Sequence, residues 1–146
     1  LLGVTLFALA LTIVALMVLK PTFRSLWGNR PFMRPEALEH LRQTLTTHLT
    51  NLPDEVWQAI SGQMTYQAVP KKSLLLWPGE VSNKMQFVHR GLLRAYFPKD
   101  GDDLTYFFFS EAQFMTAYTS FLTGQPTRFF IEALEDCELL TLTKTD

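Results

Sequence analysis

A single cysteine, Cys137, stands in the 146 residues. It excludes an intrachain disulfide framework and makes a reducing, cytosolic setting the plain expectation. The 7 glycines form neither the G-x-G-x-x-G nor the G-x-x-x-x-G-K spacing of phosphate loops. No serine occupies a G-x-S-x-G nucleophile elbow. His40 and His48 are eight residues apart, about 2.2 helical turns, and do not share a metal-binding face well. His89 is isolated, so no metal site and no catalytic residue is assigned, and the chain is read as a non-enzyme. Charged residues reach only 18%, which excludes a disordered polyelectrolyte. The hydrophobic 47%, at this length, gives one domain a real core but not two ordinary ones.

The net charge of −1 hides an asymmetry. Residues 1–32 hold Lys20, Arg24 and Arg30 and no acid, whereas residues 33–146 hold 10 bases against 14 acids. Such an acidic body is a poor surface for DNA. Residues 1–19, LLGVTLFALALTIVALMVL, carry no charge and would span roughly 28 Å as a helix, close to a bilayer's hydrocarbon core. The bases that follow suit a cytoplasmic flank, and Trp27 suits the interface. Two readings stand: a transmembrane span, or an upstream leader unrelated to a domain that begins at Met33. A signal-peptide core fits less well, because the run is long and no small-x-small cleavage site follows it. Residues 20–35, with three prolines and four bases, read as a basic linker.

After the linker, Pro35 opens an amphipathic helix with Leu38, Leu41, Leu45 and Leu49 at helical spacing. LPDEVWQAIS predicts a second short helix ending near Gly62, with Asp54 and Glu55 in its first turn. From Met64 the period changes to short β-type runs: MTYQAVP, SLLLW, KMQFVH, GLLRAYF, DLTYFFF, FFIEAL and ELLTLT. The turn signals PGE, KDGDD and LEDCE separate them. Several strands about ten residues apart predict a β-sandwich or β-roll rather than βαβ units. Residues 115–124 read as one or two helical turns inserted between strands. Asp102 and Asp103 are expected as solvated turn residues. In Tyr106-Phe107-Phe108-Phe109, alternation divides the rings between two faces, which predicts core packing plus a dimer or partner surface.

Gly79 suits a Pro-Gly turn with positive φ, and Gly91 a tight bend between strands. The stretch from Leu75 to Gly91 reads as an apolar pair, two residues, Gly79-Glu80, the small Ser82, an apolar strand, two residues and Gly91. This pattern resembles the cyclic-nucleotide-binding domain of Crp/Fnr-type bacterial transcription regulators, over about 110 residues from near Met33 to Asp146. Ser82 departs from the usual Gly, Ala or Cys, and Gln86 interrupts the apolar strand. GLLRAYF, DGDDLTYFF and SFLTGQPTRFFIEALEDCELLTL look like the branch common in Bacteroidetes-like genomes. The resemblance implies a mainly β fold with flanking helices over residues 36–146. It is an eight-stranded β-roll of jelly-roll type, here preceded by the hydrophobic N-terminal helix.

The resemblance also implies a phosphate-binding cassette between the sixth and seventh strands, within FMTAYTSFLTGQPTRFFIEALED. In the ligand-competent form, backbone N–H groups and an arginine hold a cyclic phosphate, and a carboxylate accepts from the ribose hydroxyl. Here Met115-Thr116 replaces Gly-Glu, and Phe129-Phe130 replaces the Ser/Thr-Ala that follows the arginine. The degenerate cassette leaves Thr116, Ala117, Tyr118, Thr127 and Arg128 as candidate ligand contacts. Cyclic AMP is not expected to bind in the ordinary mode, and no other cofactor is implied. Two alternatives remain open: a retained anionic or hydrophobic ligand, or a ligand-free structural roll that transmits contacts; for Arg128 itself the plain alternative is a surface pair with Glu132 or Glu135. As a whole the chain reads as the sensor domain of a Crp/Fnr-like regulator. In such a protein, homodimerisation and DNA binding belong to a helix and a helix-turn-helix after Asp146. The alternative is a membrane-tethered regulatory domain of a channel or transporter, anchored by residues 1–19.

Overall fold

The structure is a computed structural model that describes residues 33–144. The expectations for residues 1–19 and for most of the linker lie outside these residues. No helix among the described residues is long and apolar enough to cross a membrane. The chain divides between Tyr66 and Gln67 into two compact units.

Helix α1 (Pro35–His48) begins with its proline in the first turn, where a missing N–H costs nothing. Ala37, Leu41 and Leu45 are fully buried along one face, as the leucine spacing predicts. Helix α2 (Asp54–Gln63) carries Asp54 and Glu55 in its first turn, where the helix dipole favours them, and buries Ile60. Arg42 reaches Asp54 at 3.5 Å, an exposed pair that contributes little.

Eight strands follow. They are β1 (Thr65–Val69), β2 (Leu74–Leu76), β3 (Lys84–Arg90), β4 (Leu93–Lys99), β5 (Asp102–Phe109), β6 (Phe114–Met115), β7 (Phe130–Ala133) and β8 (Cys137–Thr143). Helix α3 (Tyr118–Thr123) lies between β6 and β7. One four-stranded sheet has the order β1-β8-β3-β6, the other β2-β7-β4-β5. Val69, Val88, Leu93, Ala95, Ile131 and Leu139, drawn from both sheets, share one buried cluster. The fold is the mainly β roll with helices that the sequence predicts.

The loop joining β4 and β5 is Asp100-Gly101, with φ of 54° and 91°. Positive φ at both positions is what a two-residue hairpin turn requires. Asp102 and Asp103, expected in that turn, instead open β5 and lie opposite Lys99 and Pro98. Asp103 is drawn there by Arg94, 3.0 Å away. Strand β6, implied by the resemblance but not by any β-type run in the sequence, is two residues long and pairs with β3. Along β5 the facial alternation is broken by a register shift opposite Ala95 and Tyr96. Phe109 is buried while Leu104, Tyr106, Phe107 and Phe108 are exposed on this strand at the sheet's edge.

Candidate functional site

The segment from β6 to β7 is held by bonds that start from its own turn residues. Gly124, with φ 72°, closes α3 by donating its N–H to the Ser120 carbonyl at 2.8 Å, and Pro126 prevents the helix from continuing. Thr127 is then bonded in both directions to the Pro-Gly-Glu turn. Gly79 N–H donates to the Thr127 carbonyl (2.9 Å), and Thr127 N–H donates to the Glu80 carbonyl (2.7 Å). The Glu80 carboxylate accepts from Trp77 N–H at 3.3 Å. Gly79 and Glu80 therefore fix where the cassette ends, and the φ of 93° at Gly79 makes the turn possible.

At the other end the Thr116 hydroxyl is committed inside the protein. It donates to the Lys84 carbonyl at 2.8 Å and lies 3.1 Å from Ser82 Oγ. Ser82 N–H donates to Ser120 Oγ at 2.8 Å, so Ser82 ties the β2–β3 connection to α3. Thr116, Ser82 and Ser120 are all buried. Lys144 adds a further tie, its Nζ donating to the Phe121 carbonyl at 3.1 Å.

Arg128 is exposed and makes no hydrogen bond or ion pair with any described residue. The expected pairing with Glu132 is absent because Arg94 occupies that carboxylate, through Nε at 3.0 Å and a terminal nitrogen at 2.9 Å. Phe129 and Phe130 take opposite sides of the sheet. Phe129 packs against the core and meets Phe97 (5.8 Å) and Tyr106 (5.2 Å) edge-on. Phe130 stacks on Tyr96 at 5.0 Å, and Arg94 lies over the same tyrosine at 4.2 Å. The space beside the cassette is thus partly filled by the ring of Phe129.

Burial pushes up the phenol of Tyr118, and partial desolvation pushes up that of Tyr106, still 48% exposed as a residue, to about 12. A folded-state pKa above the ordinary 10.0 means that the stability linked to Tyr106 is intact below that pH and lost as pH rises towards about 12. A spectrophotometric titration is expected to show one tyrosine ionising at about 12, and Tyr106→Phe is expected to remove that phase. Its persistence in the variant would refute the assignment.

A pocket of about 510 Å³ adjoins the start of the cassette. Thr116, Ala117 and Glu80 line it, but Tyr118, Thr127 and Arg128 do not. Of the five candidate contacts this pocket therefore brings together only Thr116 and Ala117. Gln67, also lining the pocket, was missed in the sequence, and Gln86 registered only as a blemish in an apolar strand. No group of three or more metal-ligating side chains occurs among the described residues.

Two antiparallel four-stranded sheets, with a short helix between β6 and β7, define a β-roll. The profile of the cyclic nucleotide-binding domain matches residues 66–146, and the chain belongs to that family. It is similar in fold to the regulatory domain of Toxoplasma gondii PKA solved with cAMP (15% identity, TM-score 0.66). That match covers 77% of this chain and 44% of the other, so the chain spans under half of that relative's length. It is also similar to the N-terminal domain of a transcriptional regulator from Streptomyces coelicolor A3(2) (19% identity, TM-score 0.56). That match covers 71% of this chain and 72% of the other. No curated protein sequence matches the chain.

Proposed function

We propose that this cyclic nucleotide-binding family roll is the sensor domain of a Crp/Fnr-like transcription regulator, of the branch common in Bacteroidetes-like genomes, whose cassette does not take cyclic AMP in the usual mode. The observation that carries the reading is the state of Thr116. Where a carboxylate would accept from a ribose hydroxyl, a buried threonine spends its O–H on the Lys84 carbonyl. No acid stands at 115, 116 or 117 to replace it. Phe129 adds bulk beside the arginine that would hold the phosphate. Arg128 keeps its charge free for a smaller anion, an option this reading retains. The likeness to the Streptomyces regulator domain supports the transcriptional setting at the level of fold. Signalling would run from the cassette through the bonds that join α3 to Ser82 and Lys144, towards a downstream dimerisation helix and DNA-binding half.

Calorimetric titration of the full chain with micromolar cyclic AMP is expected to give no saturable heat. A saturating isotherm that Arg128→Ala abolishes would overturn this reading.

A further inference from the structure

On the inner face of the β1-β8-β3-β6 sheet, three adjacent strands each contribute one polar side chain. Gln86 on β3 lies in register opposite Thr141 on β8, and Gln67 comes from β1. Gln86 Nε2 donates to Thr141 Oγ1 (3.1 Å) and to Gln67 Oε1 (3.4 Å). Gln86 is only 7% exposed, and its own neighbours Met85, Phe87 and Val88 are buried and apolar. The bonds use one end of each carboxamide. Gln86 Oε1 and Gln67 Nε2 are left without a hydrogen bond to any described residue.

Both glutamines line the pocket of about 510 Å³, whose size is in the range of small-molecule sites. An acceptor and a donor are thus presented together at its wall, with Gln86 buried and Gln67 open to the pocket side. Apolar Leu76, Met115 and Ile131 form other parts of the lining, and Trp77 stands at the rim, 48% exposed. The two charged side chains of the lining, Glu80 and Lys84, have opposite signs. A site with a paired amide, an aromatic rim and no net charge fits neither a phosphate nor a free carboxylate.

We propose that this pocket binds a planar, uncharged ligand carrying a primary carboxamide or a lactam. Its N–H donates to Gln86 Oε1, its carbonyl accepts from Gln67 Nε2, and its ring lies against Trp77. Ser82 and Thr116 line the same pocket, so an occupant would press on the hydrogen bonds that anchor α3. The inference goes beyond the regulatory reading and does not depend on the fate of cyclic AMP.

Nicotinamide, titrated into the full chain labelled at its glutamine side-chain nitrogens, tests it. The amide signals of Gln67 and Gln86 are expected to shift saturably. Gln67→Glu, at an exposed position, replaces the donor by an acceptor and is expected to weaken binding at least about fivefold. Trp77→Ala is expected to weaken it as well. Nicotinate, the same ring with a carboxylate, is expected to bind at least about fivefold more weakly than nicotinamide. Arg128→Ala should leave nicotinamide binding unchanged. No saturable shift, equal affinity for nicotinate, or indifference to Gln67→Glu overturns the proposal. A dependence on Arg128 also overturns it, by moving the ligand to the cassette.

Discussion

Gly91→Ala is expected to cost the β-roll at least about 3 kcal/mol, a large fraction of the stability of an ordinary domain. Two costs combine. The φ of 103° is one an alanine adopts only under strain, which alone costs about 1–3 kcal/mol. In addition a Cβ at this position would stand 2.5 Å from Cys137 Sγ, 2.9 Å from the Asp136 carbonyl and 2.9 Å from Cys137 Cα. Two of these three neighbours are backbone and have nowhere to go. Gly101 provides the comparison, since its φ of 91° is similar but a Cβ there meets nothing within 4 Å. Gly101→Ala should therefore show the conformational cost alone, about 1–2 kcal/mol. Urea unfolding of the two variants measures the difference directly. Adding Cys137→Ala to Gly91→Ala removes the sulfur contact but leaves both backbone contacts, so rescue should be partial. Equal losses for the two glycine variants would refute the steric argument.

The contrast between these glycines also marks what a sequence can and cannot announce. KDGDD announces a turn, but not that Asp100-Gly101 alone forms it, because the bonding of Asp102 and Asp103 into β5 is set by the opposite strand. Pro35 and the leucines of α1 announce their helix through helical spacing. Gly91 is legible as a bend, but its closeness to Cys137 depends on a chain segment 46 positions away. Within the site the same division holds. Met115-Thr116 and Phe129-Phe130 can be read as departures from a family pattern. Whether Thr116 remains open to a ligand depends on Lys84 and Ser82, which only the fold brings near. Gln86 looks like a flaw in an apolar strand until β1 and β8 supply Gln67 and Thr141 beside it. The pairing of Arg128 with Glu132 was a reasonable local expectation, and it failed because a cross-strand arginine is better placed.

That arginine carries the second large effect. Arg94→Ala is expected to destabilise the roll by about 2–3 kcal/mol. Arg94 sits directly opposite Glu132 across the β4–β7 pair, and reaches Asp103 (3.0 Å) and Thr105 (3.1 Å) on β5. One side chain thus ties three strands on the outer face of the second sheet. Burial opposes its charge, but the hydrogen bonds and charges of Glu132 and Asp103 outweigh that and raise the guanidinium pKa. The side chains of Arg94 and Glu132 are only 21% and 19% exposed, so removing the arginine leaves a largely desolvated carboxylate without its cation. Asp103, at 48%, loses a more screened contact, which keeps the estimate below the range for a fully buried pair. Arg94→Lys should recover less than half of the loss, because an ammonium cannot serve Nε and both terminal nitrogen contacts from one plane. Arg94→Met combined with Glu132→Leu should be more stable than Arg94→Ala alone, since the stranded charge is gone. If the double variant is the weaker of the two, the cost lies in packing against Tyr96 rather than in an unpaired carboxylate. Because Phe130 stacks on that tyrosine, loosening Arg94 should also loosen the exit of the cassette, and hydrogen exchange at Phe130 and Ile131 should rise in Arg94→Ala before the roll unfolds globally.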